Sequence, residues 1–320
     1  MKISLEKAIV LLKSERIVAV PTETVYGLAA RYDCEQAITS IFETKNRPLD
    51  HPLIVHIASI DWLDRLALDI KPYVFELIQS FWPGPLTVVL KRKKSVNDLV
   101  TAGQDTVAIR MPDHPLLLEV IKRVGVPIVA PSANAFCKTS PTSADHVESN
   151  FLSKIPVLDG GPCKVGIEST IVLATEDSTL TLLRPGILSK KEIAQVAHMP
   201  FTDNDISNVR APGKKNIHYQ PGVPIIAFEN GDRLTQACSK NDQKRYFIMA
   251  LNVKNTPNHL HHLVTMPNCP SDYSKLLYEK WYCVSSDKFD NILIELPPDE
   301  DRWQGIRDRI LKAASTDLFT

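Results

Sequence analysis

Through its first two hundred residues the chain alternates amphipathic stretches of helical period with short apolar runs rich in Val and Ile. An α/β sheet packed against helices buries both kinds of segment. Leu5, Ala8, Ile9, Leu11 and Leu12 recur at helical spacing and predict a helix over 5–14, while Ile17–Val20 reads as a strand that Pro21 stops. Asp33 is placed to cap a helix carrying Ala37, Ile38, Ile41 and Phe42 on one face, and that helix should end near Lys45, ahead of Pro48. Further strands are predicted at 53–57, 86–91, 106–111, 126–130 and 169–174, with helices near 71–81 and 114–124. Pro115 suits the first turn of the latter and Gly125 its C-terminal stop. Three junctions, Pro21-Thr22-Glu23-Thr24, Arg110-Met111-Pro112 and Ala130-Pro131-Ser132-Ala133-Asn134, set polar side chains just beyond apolar strands. Open α/β sheets commonly bind ligands there.

Between 203 and 222 the character changes: Asn, Asp, Gly and Pro gather in Asp203-Asn204-Asp205, Ala211-Pro212-Gly213 and Gln220-Pro221-Gly222. This segment reads as a linker between a domain at 1–202 and a second at 223–320. In the second, strands at 223–228, 246–251 and 291–296 alternate with helices near 271–281 and 301–315, as in a small Rossmann-like module. A length of 320 residues, 44% of them hydrophobic, suits two globular domains.

Thirty-seven Lys+Arg against thirty-seven Asp+Glu leave no net charge, so global attraction to nucleic acid or an anionic membrane cannot organise function. No stretch reaches the roughly 18 apolar residues of a membrane span, and Lys2, Glu6, Lys7, Lys13, Glu15 and Arg16 interrupt the N-terminus where a signal core would lie. Six scattered cysteines form no C-x-x-C pair, which points to free thiols in a reducing compartment, the cytoplasm by default. His259, His261 and His262 lack supporting ligands at metal spacing, so this stretch reads as a polar loop and no structural metal is assigned.

The usual nucleotide and hydrolase signatures are absent. Gly161-Pro162-Cys163-Lys164-Val165-Gly166 continues as Ile167-Glu168 and so lacks the Lys and hydroxyl of a P-loop, and there is no G-x-G-x-x-G, H-E-x-x-H or G-x-S-x-G. Lys45 and Arg47, separated by one residue before a Pro-rich turn, can converge on a polyphosphate. A solvated helix end with cations answering its dipole is the structural alternative. Ser132 and Asn134 add a hydroxyl and an amide at the end of a buried strand, suited to phosphate oxygens or to a capping turn.

Taken together, Pro21-Thr22-Glu23-Thr24-Val25-Tyr26-Gly27-Leu28, Lys45-Asn46-Arg47-Pro48, Pro52-Leu53-Ile54-Val55-His56, Arg110-Met111-Pro112-Asp113-His114-Pro115 and Ser132-Ala133-Asn134 closely resemble the threonylcarbamoyl-AMP synthase family. The resemblance continues through Ser140-Pro141-Thr142, Glu168-Ser169-Thr170-Ile171-Val172 and Leu183-Arg184-Pro185-Gly186. Ala211–Pro221 and the tail are similar to the linker and C-terminal domain of its two-domain branch. The resemblance implies a YrdC-like twisted mixed sheet with a basic concave cavity, joined to the smaller Rossmann-like domain. It also implies a reaction of L-threonine, bicarbonate and ATP that releases pyrophosphate and threonylcarbamoyl-adenylate, for modification of tRNA at A37 by a downstream threonylcarbamoyl-transferase machinery.

By the same resemblance Lys45, Arg47, Thr106, Ser132, Asn134, Ser140 and Arg184 would surround ATP, with Lys45 and Arg47 carrying the catalysis. Thr24, His56, Arg110 and Ser169 would hold threonine or its carbamate. Tyr219 corresponds to a linker position that dips into the cavity against the nucleotide, which makes 203–222 an active-site gate. His51 stands where relatives usually have Asn and is kept as an ATP contact. Magnesium is expected to arrive with ATP, held by phosphates and waters, since no cluster of carboxylates offers a cage. Two rivals remain. One is a carbamoyltransferase carrying this domain. The other is a non-catalytic RNA-binding module, for which Lys91-Arg92-Lys93-Lys94 would meet phosphate.

Overall fold

The computed structural model describes residues 1–176, 178–202, 209–213, 218–239, 243–253 and 260–314. An 11-stranded mixed sheet forms the first domain. Along it, neighbours run Lys2–Ile3, Val157–Leu158, Val18–Val20, Gly27–Arg31, Ile128–Val129, Ile54–His56, Thr106–Arg110, Leu86–Arg92, Thr170–Leu173 and Thr181–Arg184. The short strand Ala67–Leu68 pairs with the far end of Leu86–Arg92.

The alternation of a strand decides which side chains face the ligand side. Val55, Val88 and Ile109 enter the main core, where they meet Ile38 and Ile41 from helix Glu35–Lys45 and Leu77 from helix Pro72–Phe81. Their neighbours Ile54, Val89 and Ala108 face the other way, and in register with them stand His56 opposite Arg110. On that second side, helices Leu5–Lys13 and Pro115–Val124 cover only the part of the sheet near Val18, Val20 and Ile128. The remaining part is left as a hollow.

The predicted strands and helices of this domain recur with their ends moved by a residue or two, except that the strand expected at 126–130 shortens to Ile128–Val129. One cap differs. Helix Glu35–Lys45 is capped by the Cys34 side chain, which accepts from Ala37 N, whereas the Asp33 carboxylate is taken by Arg31 at 2.9 Å. A bidentate guanidinium is the stronger competitor for a carboxylate.

In the second domain the sheet is parallel throughout, ordered Ile225–Phe228, Asn291–Glu295, Tyr246–Ala250, His262–Thr265. The last strand corrects the polar-loop reading of the histidines: His262 opens it in register with Phe247, and their rings stack at 5.2 Å. An edge strand needs only one apolar face, which is why its sequence looks polar. His259 lies outside the described residues, as do 203–208 and 214–217 of the expected linker and 315 of the last expected helix.

Tyr273, Tyr278, Trp281, Trp303 and Ile306 form a core that reaches across the domain boundary to Val25 and Ile167. The backbones meet closely there: a Cβ on Gly305 would lie 2.2 Å from the Gly186 carbonyl oxygen, so no larger residue fits without parting the domains.

Candidate active site

Helix Glu35–Lys45 ends because Asn46 turns left-handed at φ 50°, a conformation Asn tolerates well. That turn sends Lys45 inward and lets Arg47 follow from the other side of the bend. Lys45 is 1% exposed, and its Nζ donates to the carbonyls of Ser132 and Asn134, each at 2.5 Å. Burial, with the charge of Arg47 adding to it, pushes its pKa well below 10.5. Arg47 Nη2 donates to the Pro52 carbonyl at 2.9 Å, and its guanidinium lies over the Phe136 ring. Burial brings Arg47 down to about 10, with Arg184 contributing as a like charge.

The paired strands Ile54–His56 and Thr106–Arg110 supply the opposite wall. His56 is buried beside Arg110, with Nδ1 3.2 Å from the Ile54 carbonyl oxygen. Desolvation first and the neighbouring guanidinium second hold it at about 3, so it is neutral near pH 7. Arg110 is fixed on three sides: Nε donates to Gly84 O at 3.1 Å, Nη1 to Thr24 Oγ1 at 2.9 Å, and Nη2 lies 2.5 Å from Glu23 Oε1. Thr24 Oγ1 in turn shares a hydrogen bond with Thr22 Oγ1 at 2.8 Å. Arg184 reaches in from the last strand of the sheet, giving Nε to Ser169 O and Nη2 to Ser169 Oγ, both at 3.0 Å, while Ser169 Oγ also shares a hydrogen bond with Thr87.

These side chains line one cavity. Thr24, Lys45, Arg47, His56, Arg110, Ser132, Asn134, Ser169, Arg184 and Tyr219 all stand on its wall, drawn from segments far apart in the chain. Its free volume is about 60 Å³. Ligand pockets typically measure roughly 300–1,000 Å³, so this one is nearly filled by its own walls.

Tyr219 does much of the filling. It sits at φ 62°, is buried, packs 6.1 Å from the Tyr278 ring and lies under the Arg309 guanidinium at 5.1 Å. Both domains pin its backbone neighbourhood: Thr139 Oγ1 donates to Tyr219 O at 3.0 Å, and His218 N donates to Lys312 O at 2.9 Å. Tyr219 Oη, His218 Nδ1, Asn134 Oδ1 and Arg47 Nε are buried without a hydrogen-bond partner. Buried polar atoms are nearly always paired, so these four, gathered around one cavity, are available to water or to a polar ligand.

Three expected contacts stand off the wall. Thr106 pairs with Lys91 in the sheet, at the far end of its strand from Arg110. Ser140 is fully buried behind Glu168, donating to Oε1 at 2.5 Å. His51 is half-buried, with its ring 5.1 Å from that of Phe136, which does line the cavity.

Glu168, Phe136, His218 and the Pro212–Gly213 turn also line the cavity, although none was singled out as a contact. Glu168 had a signal: a lone carboxylate in the otherwise uncharged run Val165–Val172 calls for a cation or hydrogen-bond donors if the strand is buried.

Residues 10–186 match the family described as Telomere recombination, and residues 188–315 match the Threonylcarbamoyl-AMP synthase, C-terminal domain. The threonylcarbamoyl-AMP synthase of Bacillus subtilis is 37% identical over 96% of this chain and 92% of its own. That of Pyrococcus abyssi is 45% identical over 68% of this chain, an alignment spanning 66% of the relative. The crystal structure of P. abyssi Sua5 complexed with L-threonine superposes with a TM-score of 0.86 at 34% identity, covering 97% of this chain and 94% of that one. Two consecutive domain matches and near full-length relatives leave one conclusion: the chain belongs to the threonylcarbamoyl-AMP synthase family.

Proposed function

We propose that this enzyme is a nucleotidyltransferase that makes threonylcarbamoyl-adenylate and pyrophosphate from L-threonine, bicarbonate and ATP, the product serving modification of tRNA at A37 by a downstream transferase. The observation that carries the reading is the convergence of Lys45, Arg47, Arg110 and Arg184 on one buried cavity, two of whose walls also hold unpaired hydrogen-bonding atoms. In this scheme the threonine amine adds to carbon dioxide with loss of a proton, or to bicarbonate with loss of water, and the resulting carbamate oxygen attacks the α-phosphorus. The bond to the bridging oxygen then breaks and pyrophosphate leaves. Such a step asks for two anions held in line and neutralised, which buried cations supply without a protein nucleophile.

Lys45, Arg47, Asn134 and Arg184 would then face the triphosphate, and Arg110, Thr24, His56 and Ser169 the amino acid. That the P. abyssi relative forms a complex with L-threonine supports threonine as a substrate. Neutral His56 and the Thr24 hydroxyl offer hydrogen bonds that a substrate lacking a hydroxyl would leave unmade. Displacement of Tyr219 would admit ATP, and its return would keep water from the adenylate.

Magnesium would enter with ATP. The carboxylates nearest the cavity, Glu168 and Glu23, are committed to Arg309 and Arg110, so phosphate oxygens and waters would supply its ligands. Among the described residues no helix is long and apolar enough to cross a membrane, and a cytoplasmic setting fits the free cysteines.

The family membership favours catalysis over the RNA-binding module. The run 91–94 fits that outcome, because Lys91 pairs with Asp69, Arg92 with Asp98, and Lys93 donates to the Asp64 carbonyl. The test is pyrophosphate release with each substrate omitted in turn. Release should require threonine and bicarbonate together, and turnover indifferent to threonine would overturn the reading.

A further inference from the structure

Glu168 is an odd residue to find in an anion site. Among the described residues it is the only carboxylate on the cavity wall, surrounded there by Lys45, Arg47, Arg110 and Arg184. A free carboxylate in this place would repel a triphosphate across a medium of low dielectric.

It is not free. Arg309, 0% exposed, comes from helix Gln304–Ala313 of the second domain and donates Nε to Glu168 Oε2 at 2.8 Å. The same oxygen accepts from Tyr278 at 3.2 Å, also from the second domain, while Oε1 accepts from Ser140. Of the remaining guanidinium nitrogens, Nη1 donates to the Pro185 carbonyl at 2.7 Å and to Asp308 Oδ2 at 2.8 Å, and Nη2 to the Glu168 backbone carbonyl at 3.4 Å; the other Asp308 oxygen takes Lys312 at 2.6 Å, so Arg309 and Lys312 together balance Glu168 and Asp308. The pair is thus oriented from both domains. Although burial works against ionisation, Arg309, Arg184 and Ser140 hold the Glu168 carboxyl at about 2, so it is charged and balanced by its partner.

We propose that Arg309 is a positioning residue through which the C-terminal domain makes the cavity fit for ATP: it neutralises Glu168 and turns its carboxylate away from the phosphates. The inference rests on the nucleotide reading of the cavity and adds to it a duty for the second domain. Docking of that domain would set nucleotide affinity as well as carry the linker.

The test is binding of ATP and, separately, of threonine to the full chain by equilibrium dialysis, in wild type, Arg309→Met, Glu168→Gln and the double variant. Arg309→Met should weaken ATP binding by about tenfold or more and threonine binding by no more than about twofold, because the exposed charge acts on the phosphates. Glu168→Gln should tighten ATP binding, and the double variant should recover ATP affinity to within about threefold of wild type, since the offending charge is gone. Arg309→Met with unchanged ATP affinity, or a double variant no better than the single one, would overturn the inference. Should Arg309→Met fail to fold, Glu168→Gln decides by itself: ATP binding weakened about tenfold counts against the proposal. A wild type that binds ATP yet releases no pyrophosphate would sink the reaction and leave this inference standing; a wild type that does not bind ATP would sink both.

Discussion

Arg110 donates through Nη1 to Thr24 Oγ1 at 2.9 Å, joining the strand end Thr106–Arg110 to the loop after Val18–Val20. The bond fixes the roll of the guanidinium plane, with Gly84 O and Glu23 engaging the other two nitrogens. Thr24→Val keeps the shape and removes the hydroxyl. The KM for threonine should rise about tenfold, matching the loss of one buried hydrogen bond to a charged group, while the KM for ATP stays within about twofold. Steady-state kinetics with each substrate varied in turn checks this.

Lys45 is held below its ordinary pKa of 10.5 chiefly by burial. A triphosphate brought against it favours the ammonium, so nucleotide binding should take up protons at alkaline pH below that value. Calorimetry in buffers of different ionisation enthalpy measures the uptake. In Lys45→Met it should shrink, and pyrophosphate release should fall by about a hundredfold or more, as when one preorganised donor is lost. Equal uptake in the variant would assign the proton to another group.

His56 and His218 both have pKa values of about 3 in the folded chain, each mainly through desolvation, against an ordinary 6.5. Between those values the unfolded chain binds protons that the folded chain refuses. Their contribution to stability is therefore complete above pH 6.5 and is lost as the pH falls toward 3. Glu168, lowered from 4.5 to about 2, adds its own loss only further down. Urea unfolding followed from pH 6.5 to 4.5 should show a slope reduced in His56→Gln by up to about 1.4 kcal/mol per pH unit, the effect of one proton.

Gly213 has φ 86°, and a Cβ built there would lie 2.5 Å from Tyr219 Oη and 3.0 Å from Arg184 Cδ. Gly213→Ala strains the backbone and displaces the tyrosine that fills the cavity. Stability should drop by roughly 1 kcal/mol. Hydrolysis of the adenylate should rise relative to pyrophosphate formed, which product analysis by chromatography would detect; an unchanged ratio would argue against Tyr219 as a barrier to water.

Much of the framework was legible in the residues. Hydrophobic period located helix Glu35–Lys45 and strand Ile54–His56, because a helix stripe or a strand face is set by neighbours a few positions away. The spacing of Lys45 and Arg47 about a left-handed Asn46 likewise belongs to local sequence. Where an element is an edge strand, as at His262–Thr265, the same signal weakens, since only one face needs to be apolar.

By itself, then, the order of residues determined the elements, the two-domain division and the pool of cations and hydroxyls from which a phosphate site is built. Tertiary structure alone decided that Ser140 stands behind Glu168 instead of on the wall, that Thr106 lies at the far end of its strand from Arg110, and that the counter-charge comes from Arg309, 141 residues along the chain. The reason is physical: periodicity is a short-range property of the backbone, whereas a buried charge takes whichever partner the packing of distant segments brings within a few ångströms.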